Sequence, residues 1–504
     1  MTSSVEDPTT AVGSGALPER LGAIPKIDPA ARALEFEGRW YTWGQLDVTL
    51  SHVAQHVAEA GAQVGIILRN RPEHVGALLG VLRAGGCVVT INPHRGVART
   101  REDIAGLALD TLVGSEEDLR ELVVSPGVPT RIALRDLGKA PVVTLGAERA
   151  PAAPRLPGVA VRMLPSGTTG TPKRIELGFD LLERVLQGAK YYERDKAASL
   201  RLRSGVAIMN SPLVHLGGVF RTLQCVNDGR AFCLLERFRV DAWFDAVRRH
   251  RPGTASLVPA ALRMVLEADL DPAKLSSLRS IVSGTAPLDP DDADAFYRRY
   301  GVPVLVSYAA TEFGGGVAGW NLADHAKHWA EKRGSVGRAH PGCELRVVSE
   351  ADGRVLGEDE PGLLEVKAAQ LGDREWIRTT DLARIDGDGF VWILGRADQA
   401  ILRGGFKVLP DVVRSTLERH PDVRGAAVVG RKDARLGAVP VAAVELRPGA
   451  ATTASALLEH AAAFLAPYEL PVEIAVLAEL PRTDSGKVDL VATSELLRGV
   501  EPSR

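Results

Sequence analysis

Residues 64–91 read VGIIL, then a helically patterned stretch from Pro72 to Arg83, then CVVTI. Two short apolar runs separated by a helix at this spacing predict a parallel strand–helix–strand unit. The alternation returns later, with a strand at 207–209, a helix near 241–250 and strands at 255–258 and 280–282. Two such layers predict a large doubly wound α/β N-terminal region. Thr42-Trp-Gly-Gln45 has capping-box spacing before a helical pattern through Leu46, Leu50, Val53 and Val57. Residues 1–31 are polar and rich in Pro, Ala and Gly, which predicts a loosely ordered arm.

Past Gly342 the texture becomes short β runs at 344–348, 362–366, 382–385 and 390–394, the last two flanking Asp386-Gly-Asp-Gly389. Beyond Arg396 a small α+β module follows, with helices at 408–420 and 454–464 and strands at 426–429, 439–446 and 473–477. The fold expected is α/β: two doubly wound subdomains and a β-rich subdomain, then a small mobile α+β domain. A length of 504 residues fits roughly three units of about 150 residues.

With 63 acidic and 61 basic residues the net charge is −2, too balanced for electrostatic binding of nucleic acid or anionic membranes. Any anionic ligand must be held by local groups. Cys87, Cys225, Cys233 and Cys343 lack C-x-x-C spacing, so buried thiols in a reducing cytoplasm are expected rather than a disulfide framework or zinc ribbon. No apolar run reaches the roughly 18 residues of a membrane span, and the N-terminus lacks a secretory pattern. A cytoplasmic protein is the expectation.

Five segments carry chemistry. Ser166-Gly-Thr-Thr-Gly-Thr-Pro-Lys173 lies between runs that read as strands, and its glycines, hydroxyls and lysine suit a triphosphate cradle on a hairpin; a solvated polar hairpin is the equal alternative. Tyr308-Ala-Ala-Thr-Glu312 ends the buried run 302–306, where ligands collect in such sheets and where a glutamate can ligate Mg²⁺. Ser283-Gly-Thr-Ala-Pro-Leu288 likewise ends a strand, with small residues able to lie against a base; either segment alone also reads as a turn, and for Tyr308 to Glu312 standing alone the turn is the favoured reading. Arg378-Thr-Thr-Asp381 faces Gly395-Arg396 across a hairpin. A turn centred on Gly387-Asp388 sets 381 opposite about 394 and Arg396 diagonal to Asp381, a pair suited to a ribose diol or to a plain surface ion pair. Pro481-Arg-Thr-Asp-Ser-Gly-Lys487 sets a lysine on a flexible loop.

In chain order Ser166 to Lys173, Tyr308 to Glu312, Arg378 to Asp381, Gly395 to Asp398 and Pro481 to Lys487 closely resemble the motifs of the adenylate-forming superfamily, in its acyl-CoA and aryl-CoA synthetase branch. The resemblance spans about residues 33–495 and takes in Arg69-Asn-Arg-Pro-Glu73 and Leu82-Arg-Ala-Gly-Gly86. It implies an N-terminal AMP-binding, acyl-adenylation domain over 1–397 and a C-terminal lid domain over 398–504 carrying the catalytic lysine. Ser166, Gly167, Thr168, Thr169, Gly170, Thr171 and Lys173 would hold the β- and γ-phosphates, Thr311 the α-phosphate and Glu312 the Mg²⁺. Thr285, Ala286 and Pro287 with Tyr308, Ala309 and Ala310 would hold adenine, and Asp381 and Arg396 the ribose. Lys487 would bridge carboxylate and α-phosphate, Asp398 would be the hinge, and Arg403, Gly404 and Gly405 would swing toward the thiol channel. His215 falls at the acyl gate, and the absence there of the aspartate of amino-acid adenylation domains points to a non-amino acid.

The resemblance thus implies ATP (leaving as AMP), Mg²⁺ and CoA, with a small-molecule carboxylic acid as substrate. A separate acyl carrier protein is the other thiol source, and a homodimer is compatible. Pro165, Arg174, Gly178-Phe179, Gln399, Leu402 and Val412 depart from the superfamily pattern. Proline and a bulky arginine restrict a loop that must wrap a triphosphate. The competing expectations are therefore a ligase that mainly performs the thioester half-reaction on a pre-formed acyl-adenylate, and a non-catalytic nucleotide-binding homologue.

Overall fold

The computed structural model describes residues 17–57, 59–123, 130–145, 153–164, 174–189, 200–372, 375–483 and 487–499. The chain forms two compact units, Met1–Ser256 with Leu270–Arg279 and Ala310–Gly315, and Leu257–Asp269 with Ser280–Ala309 and Gly316–Arg504.

The first unit holds a seven-stranded sheet in the order Val142–Leu145, Thr130–Leu134, Thr111–Ser115, Gln63–Ile67, Cys87–Ile91, Val159–Met163, Ile175–Gly178. Its inner strands are parallel and its two edge pairs antiparallel. Gln63–Ile67 and Cys87–Ile91 are buried at every position, as strands covered on both faces require. The connecting helix Pro72–Arg83 starts with proline at its first position and crosses Trp43–Ala54 closely: a Cβ on Gly80 would sit 2.6 Å from the Leu50 carbonyl. Trp43–Ala54 begins with the predicted capping box, in which Thr42 Oγ1 accepts from Gln45 N at 3.2 Å and Gln45 Oε1 from Thr42 N at 2.9 Å.

A second, four-stranded sheet in this unit runs Arg203–Met209, Arg230–Leu234, Arg32–Phe36, Arg39–Thr42. The N-terminal segment is not a loose arm over its described part. Leu17–Ala23 is a helix, and Leu17, Leu21 and Ile24 are essentially fully buried at helical spacing. Arg20 Nε donates to Asn227 Oδ1 at 2.8 Å, tying this helix to Leu216–Asn227. Three apolar residues per two turns suffice to dock a short helix, a signal diluted by the surrounding Pro and Gly.

In the second unit Ser280–Ser283 and Val304–Ala310 pair in parallel, and an antiparallel four-stranded sheet follows, in the order Glu344–Val348, Gly362–Lys367, Ile377–Ile385, Val391–Arg396. The C-terminal stretch is a five-stranded sheet of Phe406–Val408, Ile401–Arg403, Gly437–Leu446, Val423–Asp433 and Ile474–Leu477. Helices Pro410–Glu418 and Ala454–Ala462 cover it through Val413, Leu417, Leu457 and Ala461. Among the described residues no helix is long and apolar enough to cross a membrane.

Candidate active site

In the second unit, Ser283 lies opposite Val306 on parallel strands, so their carboxyl ends bring Thr285, Ala286 and Pro287 beside Ser307 and Tyr308. The approach is tight, since a Cβ on Gly284 would lie 2.9 Å from the Ser307 carbonyl. Thr285 sits at φ 71°, a left-handed conformation that costs a β-branched residue on the order of 1–3 kcal/mol. The strain falls within the segment expected to face a purine.

The Tyr308 hydroxyl donates to Asp381 Oδ2, and Asp381 N donates to Thr379 Oγ1 at 3.0 Å. Burial pushes the Asp381 carboxyl above the usual range, with Tyr308 and Arg396 pulling the other way. The residue expected against adenine and the acid expected on ribose are thus joined by a direct hydrogen bond.

Asp381 pairs directly with Arg396, not with a residue near 394. The register shifts between Leu382 and Ala383: Ala383 opposes Ile393 while Leu382 opposes Gly395, leaving Leu394 as an extra residue. Arg396 is nevertheless turned elsewhere. Its fork donates to Asp398 at 2.7 and 3.0 Å and to Thr380 Oγ1 at 2.9 Å, leaving it 4.0 Å from Asp381.

Ala309 and Ala310 lead into the 3-10 turn Thr311–Phe313, on which Glu312 is exposed and, among the described residues, engages no cation. A hard carboxylate oxygen presented at a strand end fits a magnesium ligand by donor chemistry. Gly314 at φ +70° closes the turn, where a Cβ would meet Leu181 at 2.6 Å; packing, rather than an enlarged pocket, accounts for this glycine.

His215 immediately precedes the helix Leu216–Asn227. Its loop is clamped by Asn70, which donates Nδ2 to the carbonyls of Ser211 and Leu235, both at 3.1 Å, and accepts from Leu213 N at 2.7 Å. Asn70 lies in the segment Arg69-Asn-Arg-Pro-Glu73, noted in the sequence without a role for this residue; a polar residue three positions after a buried strand is the available signal. Gly218 is likewise a packing glycine, because a Cβ there would lie 2.1 Å from the Pro212 carbonyl, whereas a Cβ on Gly217 would meet only Ser211 Oγ, at an ordinary 4.0 Å.

Pro165 and the phosphate-loop residues Ser166 to Lys173 lie outside the described residues. The loop's flanks form the expected hairpin, with Val161 opposite Leu177. Arg174 is turned into the body: Nη1 donates to the Thr90 carbonyl at 2.8 Å and Nη2 to Asp103 at 2.6 Å, and its side chain is 6% exposed. The departure that looked obstructive is a cross-link at the root of the loop.

Gly404 and Gly405, at φ 56° and 90°, form the turn between Ile401–Arg403 and Phe406–Val408, and Arg403 Nη1 donates to the carbonyls of Tyr468 and Leu470, both at 2.9 Å. Lys487 is partly buried, and burial lowers its pKa below the ordinary lysine range. Residues 484–486 lie outside the described residues.

Three of the four thiols are buried, and burial pushes Cys87 and Cys233 up to about 12. Cys233, Glu35 and His250 set potential ligand atoms within 4.8 Å of one another, but Arg249 donates to the buried Glu35 carboxylate, so a side-chain cation already balances this cluster.

The AMP-binding enzyme family profile matches residues 25–373, and that of the AMP-binding enzyme C-terminal domain matches 413–487. Indoleacetate–CoA ligase of Aromatoleum aromaticum is 30% identical over 92% of this chain and 94% of its own. 4-Coumarate–CoA ligase 3 of Oryza sativa subsp. japonica is 27% identical over 90% and 86%. The structure of O-succinylbenzoate coenzyme A synthetase from Bacillus subtilis in complex with ATP and magnesium superposes with a TM-score of 0.77 at 25% identity, covering 93% of this chain and 98% of that one. With both of its domain profiles matched in order, the chain belongs to the AMP-binding enzyme family and, through it, to the adenylate-forming superfamily.

Proposed function

We propose that this protein is an AMP-forming acid–thiol ligase acting on a non-amino, aryl-substituted carboxylic acid. In the first step a carboxylate oxygen attacks the α-phosphorus of ATP, giving acyl-adenylate and pyrophosphate. In the second a thiol, that of CoA, attacks the acyl carbon, and AMP leaves with the thiol proton passing to solvent or base. The observation that carries the reading is the Tyr308–Asp381 hydrogen bond, which supports a nucleoside site at the strand ends. The aryl-acid names of the relatives support the substrate class.

In this reading Ser166 to Lys173 and Thr311 bind phosphates, and Glu312 holds the magnesium, which when bound neutralises phosphate charge. Lys487 bears the positive charge that stabilises the developing pentacoordinate phosphate. Asp398 is the hinge between a body ending at 397 and a lid over 398–504, and Arg403 to Gly405 approach the thiol after rotation. The inward turn of Arg174 favours the complete two-step reaction over thioester formation alone, because its bulk is taken up by Asp103 and Thr90.

Incubation with ATP, Mg²⁺, CoA and a panel including indoleacetate and 4-coumarate should release AMP and pyrophosphate and form the thioester. A phosphopantetheinylated carrier protein in place of CoA tests the other acceptor, and light scattering tests the homodimer. Turnover of synthetic acyl-adenylate plus CoA with none from ATP would replace this reading by the thioester-only one. Nucleotide binding by calorimetry with no acyl transfer would replace it by the non-catalytic one.

A further inference from the structure

Glu445 lies on the strand Gly437–Leu446 opposite Gly425, and its side chain is 1% exposed. A carboxylate that deep needs every oxygen engaged. Oε1 accepts from Arg424 Nη1 at 2.7 Å. Oε2 accepts from Leu480 N and from Arg482 Nη2, both at 3.0 Å. Burial works against the charge, but the Leu480 N–H, Arg482 and Arg424 together hold the carboxyl below its usual range.

Leu480 and Arg482 flank Pro481, where the lysine loop begins. The loop is closed at its root: Arg482 bridges antiparallel to Val488, Thr483 N donates to the Lys487 carbonyl at 2.7 Å, and Asp489 N donates to the Pro481 carbonyl at 2.8 Å. Main-chain bonds thus fix Lys487 to Thr483, and Glu445 fixes the adjoining arm to the sheet. Arg424 has a second anchor in Glu267, at 3.0 and 3.1 Å, so it keeps a partner when Glu445 is changed. The consequence of altering Glu445 is therefore directed toward the loop.

We infer that Glu445 is a positioning residue for Lys487, aiming its ammonium through Leu480 and Arg482 and serving the adenylation step rather than thioester formation. The inference rests on the adenylation role given above to Lys487. Displacing a charge-stabilising group by about 1 Å costs on the order of 100-fold in rate.

The test measures both half-reactions in the full chain for Glu445→Gln, Arg482→Met and Lys487→Ala: pyrophosphate release from ATP and acid, and thioester formation from synthetic acyl-adenylate and CoA. Glu445→Gln and Arg482→Met should lower kcat for adenylation roughly 10- to 100-fold, with KM for ATP and thioester formation within about threefold of the parent. Arg482→Met leaves Glu445, Arg424 and the Leu480 N–H in place, so it keeps the test valid if Glu445→Gln folds poorly. Parent-like adenylation in both variants overturns the inference, as does equal loss in both half-reactions. If Lys487→Ala itself adenylates normally, the role of the lysine fails first.

Discussion

Replacing Arg174 by methionine keeps most of the stem and deletes the guanidinium, leaving Asp103 without its cation and the Thr90 carbonyl without a donor. Removing one partner of a buried pair costs about 3–5 kcal/mol. Asp103 is 19% exposed, so water can partly replace the lost cation, which sets the expected cost near the lower end, about 3 kcal/mol. The chain forms two compact units, so an effect confined to one hairpin is best read locally. Hydrogen exchange at Val161, Met163 and Leu177, in the hairpin that Arg174 closes, should accelerate on the order of 100-fold for that loss. Strands remote from it, such as Val423–Asp433, should be unchanged. Arg174→Gly, which also removes the guanidinium, should show the same acceleration. Combining Arg174→Met with Asp103→Asn should be far less than additive. Hairpin exchange within threefold of the parent would show that the ion pair does not anchor the loop root, and the structural case for adenylation competence would lose its support.

Three further outcomes follow from burial and geometry. Burial lowers His74 to about 4 against roughly 6.5 in the unfolded chain, so the unfolded state takes up the proton first and stability should fall as pH drops from about 6.5 toward 4, by up to about 3 kcal/mol. Denaturation midpoints between pH 7 and 4.5 should show this slope and His74→Gln should flatten it; an unchanged slope in the variant assigns the acid sensitivity to other groups. Gly218→Ala forces a methyl to 2.1 Å from the Pro212 carbonyl and should destabilise by about 1–3 kcal/mol or more, while Gly217→Ala should be near neutral, a contrast read directly from melting temperatures. Thr42→Ala removes half of a capping box and should cost about 1 kcal/mol, measured by exchange of the first-turn amides of Trp43–Ala54.

Elements with a strong local cause were legible. The helix Pro72–Arg83 and the strand Cys87–Ile91 fall where apolar pattern and spacing predict them, because ten of the twelve helix residues and all five strand residues are buried. What escaped was set by distant partners. Arg32–Phe36 pairs with Arg230–Leu234, about two hundred residues away, and no local pattern reports that choice. The Asp381 register was misjudged because a single extra residue, Leu394, leaves no compositional trace. In the candidate site, residue types announced the Tyr308 and Asp381 segments, but not their hydrogen bond. Arg174 read as an obstruction because side-chain direction depends on Asp103, seventy-one positions earlier in the chain.

The clamp at Asn70 bears on how such a protein could change its substrate. Among the described residues its side chain hydrogen-bonds to main-chain atoms, the carbonyls of Ser211 and Leu235 and the N–H of Leu213. A fastening made only to backbone is indifferent to the side chains it holds, so the path of the loop leading to His215 is fixed while its sequence is free to drift. If that loop lines the acyl site, as the resemblance implies for His215, new acyl preferences can arise there by point substitution without refolding the loop, provided that one buried amide is left in place.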